Sequence, residues 1–295
     1  TLQDILYASS DGGTSWVAAN GPSSGHYVSA IEADSSSGST VLRKAVYGAG
    51  FFVSADEGRT WTASGRGLRS RQLTCCTSPA QAPATLYVGT ADAGLFASRD
   101  GGVTWHVSVS ANVARDIAAV AATADGRTLY AGTRDSGLLC SRDAGATWTD
   151  VNLPLGPAPI IASVDLDPAD ESRVVVIGSG GLAAVSEDGG QTWTVPASAG
   201  LPSGWSALRF LVDGSGVVAG TQAGELWRSV DGLTWQRVYS LPDGGCIYQL
   251  QRCQDHLLAA TSHGVFASSD GKIWLGMSSG IRNLTIGGIA ASPTE

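Results

Sequence analysis

Aspartate is the residue whose placement first suggests chemistry. Asp11, Asp56, Asp100, Asp143, Asp188, Asp231 and Asp270 each stand two residues after a serine and four or five before a tryptophan. A second set lies outside that pattern: Asp92, Asp116, Asp135 and Asp243. Two carboxylates flanking one bond are what glycoside hydrolysis needs. Arginine is the other candidate. Of the 18 basic residues only Lys44 and Lys272 are lysines, and Arg66-Gly-Leu-Arg69-Ser-Arg71 is the densest run. Guanidinium forks suit carboxylate, sulfate or phosphate groups.

Other groups carry less. Asp165-Leu-Asp167-Pro-Ala-Asp170-Glu171 offers oxygen ligands of the kind Ca²⁺ takes, but it holds Pro168 and lacks an EF-hand glycine, so it reads as a solvated turn. Gly21-Pro-Ser23-Ser-Gly25 matches a hydrolase elbow in letters, yet falls in a Gly/Ser loop rather than between strand and helix. His26, His106, His256 and His263 show no metal spacing, and no metal or cofactor is expected. Asn283-Leu-Thr285 is a glycosylation sequon, relevant only in a eukaryotic secretory setting. Cys75, Cys76, Cys140, Cys246 and Cys253 are an odd number, so at least one is unpaired within the chain. They read as small buried apolar groups, with a Cys246–Cys253 bridge as the alternative.

Composition bounds the classes. The chain has 295 residues, 43% apolar and 15% charged, with a net charge of -8. That acidity argues against general nucleic-acid binding, which needs a basic footprint. The apolar runs are too short for a membrane helix, and none resembles a signal peptide's apolar segment. A secreted or periplasmic location is the expectation.

The elements that must position these groups come from a repeat. Ser-x-Asp-x-Gly-x-Thr-Trp is intact at 54–61, 98–105, 141–148 and 186–193, carries Ser for Thr at 9–16, and is one residue shorter at 229–235 and 268–274. The tryptophans at 16, 61, 105, 148, 193, 235 and 274 are 39 to 45 residues apart, the period of one four-stranded propeller blade. Each unit has a preamble, as in Thr85-Leu-Tyr-Val-Gly-Thr90 then Gly94-Leu-Phe-Ala-Ser98. Three short strands, A to C, thus precede the repeated turn and a fourth, D, follows it. In that turn a short carboxylate accepts amide hydrogen bonds, glycine takes a positive φ, and the tryptophan is buried between sheets. The seven repeated aspartates therefore read as structural.

The chain ends are out of phase. Ile5 to Ser9 aligns with a strand C, and Ile286 to Pro293 reads like a strand A. The two ends should share one incomplete blade and close a seven-bladed, all-β ring in a single domain, 1–295.

This repeat resembles the Asp-box, or bacterial neuraminidase repeat, over essentially the whole chain. Seven copies make the chain most similar to the seven-bladed group: xyloglucanase-like hydrolases, sortilin-like receptors and photosystem II assembly factors. A sialidase likeness is poor, because no arginine has proline two positions later and glutamate is scarce. In xyloglucanase-like enzymes an Asp lies in a B–C loop of the form Arg-Thr-Asp-Ile-Gly-Gly. Thr133-Arg-Asp135-Ser-Gly137 and Thr90-Ala-Asp92-Ala-Gly94 occupy the corresponding loops. Those enzymes resemble two rings facing a cleft, and this chain carries one.

By that resemblance, ligands sit on the face carrying the D–A and B–C loops. It implies Tyr27, Arg66, Arg69, Arg71, Arg115, Arg134, Trp205, His263 and Arg282 as ligand-binding residues. Asp92, Asp116, Asp135 and Asp243 would be the carboxylates of an enzyme. The expected function is a non-catalytic binding or assembly module whose arginine-bearing face takes an anionic ligand, glycan or protein. The assembly factors look as if they dock protein through an arginine patch. The alternatives are a glycoside hydrolase, and a sugar-binding protein with Trp205 and Tyr27 as stacking platforms.

Overall fold

A computed structural model of the chain describes residues 6–19, 26–34, 40–114, 116–154, 158–196, 201–211 and 213–291. Every regular element among the described residues is a β-strand. β1 (Leu6–Ala8) and β2 (Val17–Ala19) form a two-stranded sheet. Six larger sheets follow in chain order. The first comprises β3 (Val28–Asp34), β4 (Val41–Val46), β5 (Gly50–Ser54) and β6 (Thr62–Ala63). The second comprises β7 (Leu73–Thr77), β8 (Leu86–Thr90), β9 (Leu95–Ser98) and β10 (His106–Val109). The third comprises β11 (Ile117–Ala122), β12 (Leu129–Thr133), β13 (Leu138–Ser141) and β14 (Thr149–Val151). The fourth has three strands, β15 (Ile161–Leu166), β16 (Val174–Gly178) and β17 (Leu182–Ser186). The fifth comprises β18 (Trp205–Phe210), β19 (Val217–Thr221), β20 (Glu225–Ser229) and β21 (Trp235–Ser240). The sixth comprises β22 (Ile247–Cys253), β23 (His256–Thr261), β24 (Gly264–Ser268) and β25 (Leu275–Gly276).

All pairings between the named strands are antiparallel, and the leading strands β3, β7, β11, β15, β18 and β22 touch one another in succession. The fold is an all-β propeller. The fourth sheet's outer strand is reduced to one bridge, Val185 to Thr194. Pro196, two residues on, has no N–H to extend it.

The expectation of seven blades is corrected to six, with the two-stranded β1–β2 sheet beside them. Residues 286–291 form no strand. Ile286 N–H reaches the Thr261 carbonyl at 2.9 Å, but Ile289 N–H is taken by the Gln249 side chain, also at 2.9 Å. A leading strand needs a second strand to ladder against, and among the described residues Gly287-Gly288 has none. Side chains still meet there: Tyr7, Trp16, Met277, Ile281, Ile286 and Ile289 share one apolar cluster.

The repeated turn closes each third-to-fourth-strand hairpin through one carboxylate. In 98–105, Ser98 Oγ donates to Asp100 Oδ1 at 2.8 Å and Thr104 N–H donates to the same oxygen at 2.8 Å. Thr104 Oγ1 donates to Oδ2, and Trp105 Nε1 donates to the Gly102 carbonyl at 2.9 Å. The same bonds to the aspartate recur around Asp11, Asp56, Asp143 and Asp188. These hydroxyl and amide donors hold the carboxyl groups of all five at about 2, below the usual 3.8. Gly102 sits at φ 95°, a conformation that favours glycine.

Two further devices join neighbouring blades. Glycine near the end of a second strand admits the first residue of the next blade. A Cβ on Gly132 would lie 2.5 Å from Ile161 Cγ2, and one on Gly220 2.4 Å from Ile247 Cγ2. Long donors then reach the next blade's turn carbonyls. Arg142 Nη2 and Tyr130 Oη both donate to Gly189 O, at 2.7 and 2.8 Å. Arg173 Nη2 reaches Val230 O at 2.6 Å and Arg228 Nε reaches Asp270 O at 3.1 Å. Much of the arginine thus serves the ring itself. All five cysteines are free, so no Cys246–Cys253 bridge forms.

Candidate functional site

On the face of D–A and B–C loops, the first two sheets are stitched into one surface. Tyr27 and Tyr47 stack with ring centroids 5.1 Å apart and planes 12° apart. Tyr47 Oη donates to Gln72 Oε1 at 3.0 Å, and Gly48 N–H donates to the Arg71 carbonyl at 2.7 Å. The arginine loop turns on Gly67, at φ 93°, where a Cβ would lie 2.2 Å from the Trp105 carbonyl oxygen. The Arg66 carbonyl accepts Trp105 N–H at 2.8 Å, which anchors the loop to the next blade. Arg66, Arg69 and Arg71 are exposed, and none forms an ion pair among the described residues. Tyr27 is 52% exposed. Partial burial raises its hydroxyl pKa, with Tyr47 adding to the rise and the Arg134 charge opposing it.

The carboxylates of this face are spoken for or set apart. Asp116 pairs with Arg134 at 2.6 Å. Asp92 Oδ1 accepts a 2.5 Å hydrogen bond from Ser70 Oγ, which in turn accepts Gln72 N–H. Asp135 accepts from Ser136 Oγ at 3.1 Å. Asp243 is exposed, in a left-handed turn (φ 57°) before β22 of the sixth sheet. His263, whose Nδ1 is 2.9 Å from Ser262 Oγ, lies between β23 and β24 of that sheet, and Arg282, whose N–H meets Tyr7 Oη, follows it. Arg115 and the Gly21–Gly25 segment lie outside the described residues.

Trp205 must be corrected. It is 2% exposed in β18, packed against Trp227 and Trp235 with centroids 6.1 and 5.3 Å away. As the first residue of a leading strand it fills the inter-blade core, so no ring face is left for a sugar. An apolar recess does open on this side of the fourth sheet, lined by Pro159, Ile160, Gly181, Leu182, Val195 and Pro196.

The acidic run is also corrected. Asp165 and Asp167 are each 4% exposed rather than solvated. Asp165 lies within β15 and accepts Arg209 Nη1 at 3.1 Å, Arg252 Nη1 at 3.0 Å and Phe210 N–H at 2.8 Å. Asp167 pairs with Arg173 at 3.3 Å. Glu32, not singled out in the sequence, belongs to the same region. Burial pushes its carboxyl up to about 7, against the pull of Arg209, a hydrogen bond from Ser78 and Arg43. A signal for this cluster exists. Glu32, Thr77, Ala121, Asp165, Arg209 and Gln251 occupy one register of the six leading strands. Charge in strands otherwise apolar marks that position.

No protein-family model matches the sequence. No curated protein matches it either. Solved structures do. A GH74 enzyme from Niastella koreensis aligns at TM-score 0.66 and 17% identity, over 85% of this chain and 38% of its own. The GH74 xyloglucanase from Xanthomonas campestris aligns at TM-score 0.70 and 18% identity, over 93% and 51%. This chain therefore spans about half or less of those enzymes. YCF48 bound to D1 peptide aligns at TM-score 0.67 and 16% identity, over 90% of this chain and 86% of YCF48. At such identities likeness speaks for architecture alone, and its conclusion is that this chain is a β-propeller.

Proposed function

We propose that the chain is a non-catalytic docking propeller that binds an acidic protein segment on its D–A and B–C loop face. The observation that carries this reading is the contrast in commitment on that face. Arg69 and Arg71 are exposed without carboxylate partners among the described residues, in the loop whose Arg71 carbonyl accepts Gly48 N–H next to the Tyr27–Tyr47 stack, while Arg66, also exposed, is held at its backbone by Thr104 and Trp105 of the second sheet's repeated turn. Asp116 and Asp92, in contrast, are engaged by Arg134 and Ser70. A hydrolase needs two carboxylates placed across one bond. The likeness to a peptide-bound YCF48 over most of both chains supports a protein partner over a glycan.

In this reading the chain is one domain of seven Asp-box units. Residues 6–19 and 286–291 pack together beside the six blades, through the cluster that Tyr7 and Trp16 share with Ile286 and Ile289. The seven repeated aspartates are structural. The test is fluorescence anisotropy with a panel of acidic and neutralised peptides, run beside a glycan array and polysaccharide hydrolysis. Saturable binding of acidic peptides, weakened in Arg69→Ala/Arg71→Ala, is the expected result. Turnover that disappears in Asp135→Asn or Asp92→Asn would replace this reading with the hydrolase.

A further inference from the structure

Away from the loop face, toward the far ends of the leading strands, charged side chains from four blades meet. Asp165 of β15 bonds to Arg209 of β18 and reaches past that blade to Arg252 of β22. Arg209 also acts electrostatically on Glu32 of β3. Arg43, the register partner of Glu32 on β4, acts on it too and pairs with Asp34 at 3.0 Å. The charges therefore run in sequence: Arg252, Asp165, Arg209, Glu32, Arg43, Asp34.

This network is short of acceptors. Each guanidinium carries five N–H donors. Arg43 is 5% exposed, and its Nε and Nη1 are buried with no partner. Arg209 and Arg252 each bond to Asp165 through Nη1, and their side chains stay 28% and 31% exposed. Asp165 already accepts three bonds, since it also takes Phe210 N–H, and a carboxylate offers about four acceptor sites. Within this network the buried orphan donors are those of Arg43; the remaining N–H groups of Arg209 and Arg252 reach water, and charge-assisted bonds to an oxyanion suit them.

We propose that this stretch of the central channel binds a small oxyanion through the unused N–H groups of Arg209 and Arg252, with Glu32 as the group that admits or repels it. The groups facing Glu32 are Arg209, Arg43, Ser78 and Cys76. The Cys76 thiol is held neutral by burial, its pKa raised further by Glu32. Below about 7 Glu32 is protonated, three guanidiniums face two carboxylates, and the neutral acid donates to the anion. Above about 7 its charge fills the anion's place and repels it.

Calorimetric titration of sulfate into the full chain tests this, at constant ionic strength balanced with chloride. Sulfate is doubly charged at pH 6 and at pH 8, so a change in affinity belongs to the protein. The expected result is one saturable site, roughly 5-fold or more tighter at pH 6. Glu32→Gln should keep the tight affinity at pH 8. Arg252→Gln should weaken binding by about 10-fold. Arg69→Ala/Arg71→Ala distinguishes sulfate on the loop face. Binding that this double variant abolishes would overturn the channel site, as would no saturable binding or a pH dependence unchanged in Glu32→Gln. If Arg252→Gln does not fold, Glu32→Gln still decides the matter.

Discussion

Asp165→Ala is the perturbation that most directly tests how the ring is held at its centre. The side chain is 4% exposed and accepts two guanidinium bonds and one amide bond. Its loss leaves the N–H of Phe210, a fully buried residue, without an acceptor, which costs about 1–3 kcal/mol. Removing one partner of a buried ion pair costs about 3–5 kcal/mol. Arg209 and Arg252 are only about two-thirds buried, so water recovers part of their loss. A net cost of about 3–4 kcal/mol follows. At roughly 2–4 °C per kcal/mol for a chain of this size, the melting temperature should fall by about 6–16 °C. Asp165→Asn keeps an acceptor for Phe210 and should lose about half as much. The control is Asp170→Ala in the same acidic run, where the carboxylate is exposed and bonds only to Ser172, with a shift of about 1 °C. Scanning calorimetry reads all three. A fall under about 3 °C in Asp165→Ala, or one equal to that of Asp170→Ala, would refute the keystone role.

Four further outcomes are expected. Arg69→Ala/Arg71→Ala should weaken acidic-peptide binding and flatten its salt dependence between 50 and 300 mM, on the order of a Debye-screened surface contact, and unchanged affinity would sink the docking face. Gly220→Ala should cost about 1–3 kcal/mol in a denaturant titration, because its Cβ would press on Ile247 at 2.4 Å. Trp205→Ala should cost about 3–5 kcal/mol without a selective effect on glycan binding, since the ring is core. Asp11, Asp56, Asp100, Asp143 and Asp188 have folded pKa values of about 2, below the ordinary 3.8. Their stabilisation is complete above pH 3.8 and lost as pH falls through 2. The melting temperature should drop across that window, less steeply in Asp100→Asn, and a flat profile would contradict the turn bonds.

The blade plan was legible because each unit repeats its own local physics. Ser98, Asp100, Gly102, Thr104 and Trp105 bond almost entirely among themselves, so their spacing is enough to specify the turn. The closing unit was read less well. The expected strand at 286–293 had the apolar pattern of its counterparts, but strand state depends on a partner for the ladder, and pattern says nothing about whether one is present. Trp205 misled for a related reason. A tryptophan next to Gly204 reads as a loop aromatic, yet it stands at the register that Ile117, Ile161 and Ile247 occupy in other blades.

Sequence alone determined the all-β character, the repeat and its hairpin turns, because those interactions span fewer than about a dozen residues. It also marked the arginine run at 66–71 as a cluster, since adjacency in the chain suffices for that. Only the tertiary structure decided which charges meet. Asp165 and Arg252 are 87 positions apart, Arg209 lies between them, and Glu32 comes from the first blade. Ring closure brings these leading strands around one axis, and burial there turns ordinary surface residue types into a coupled charge network.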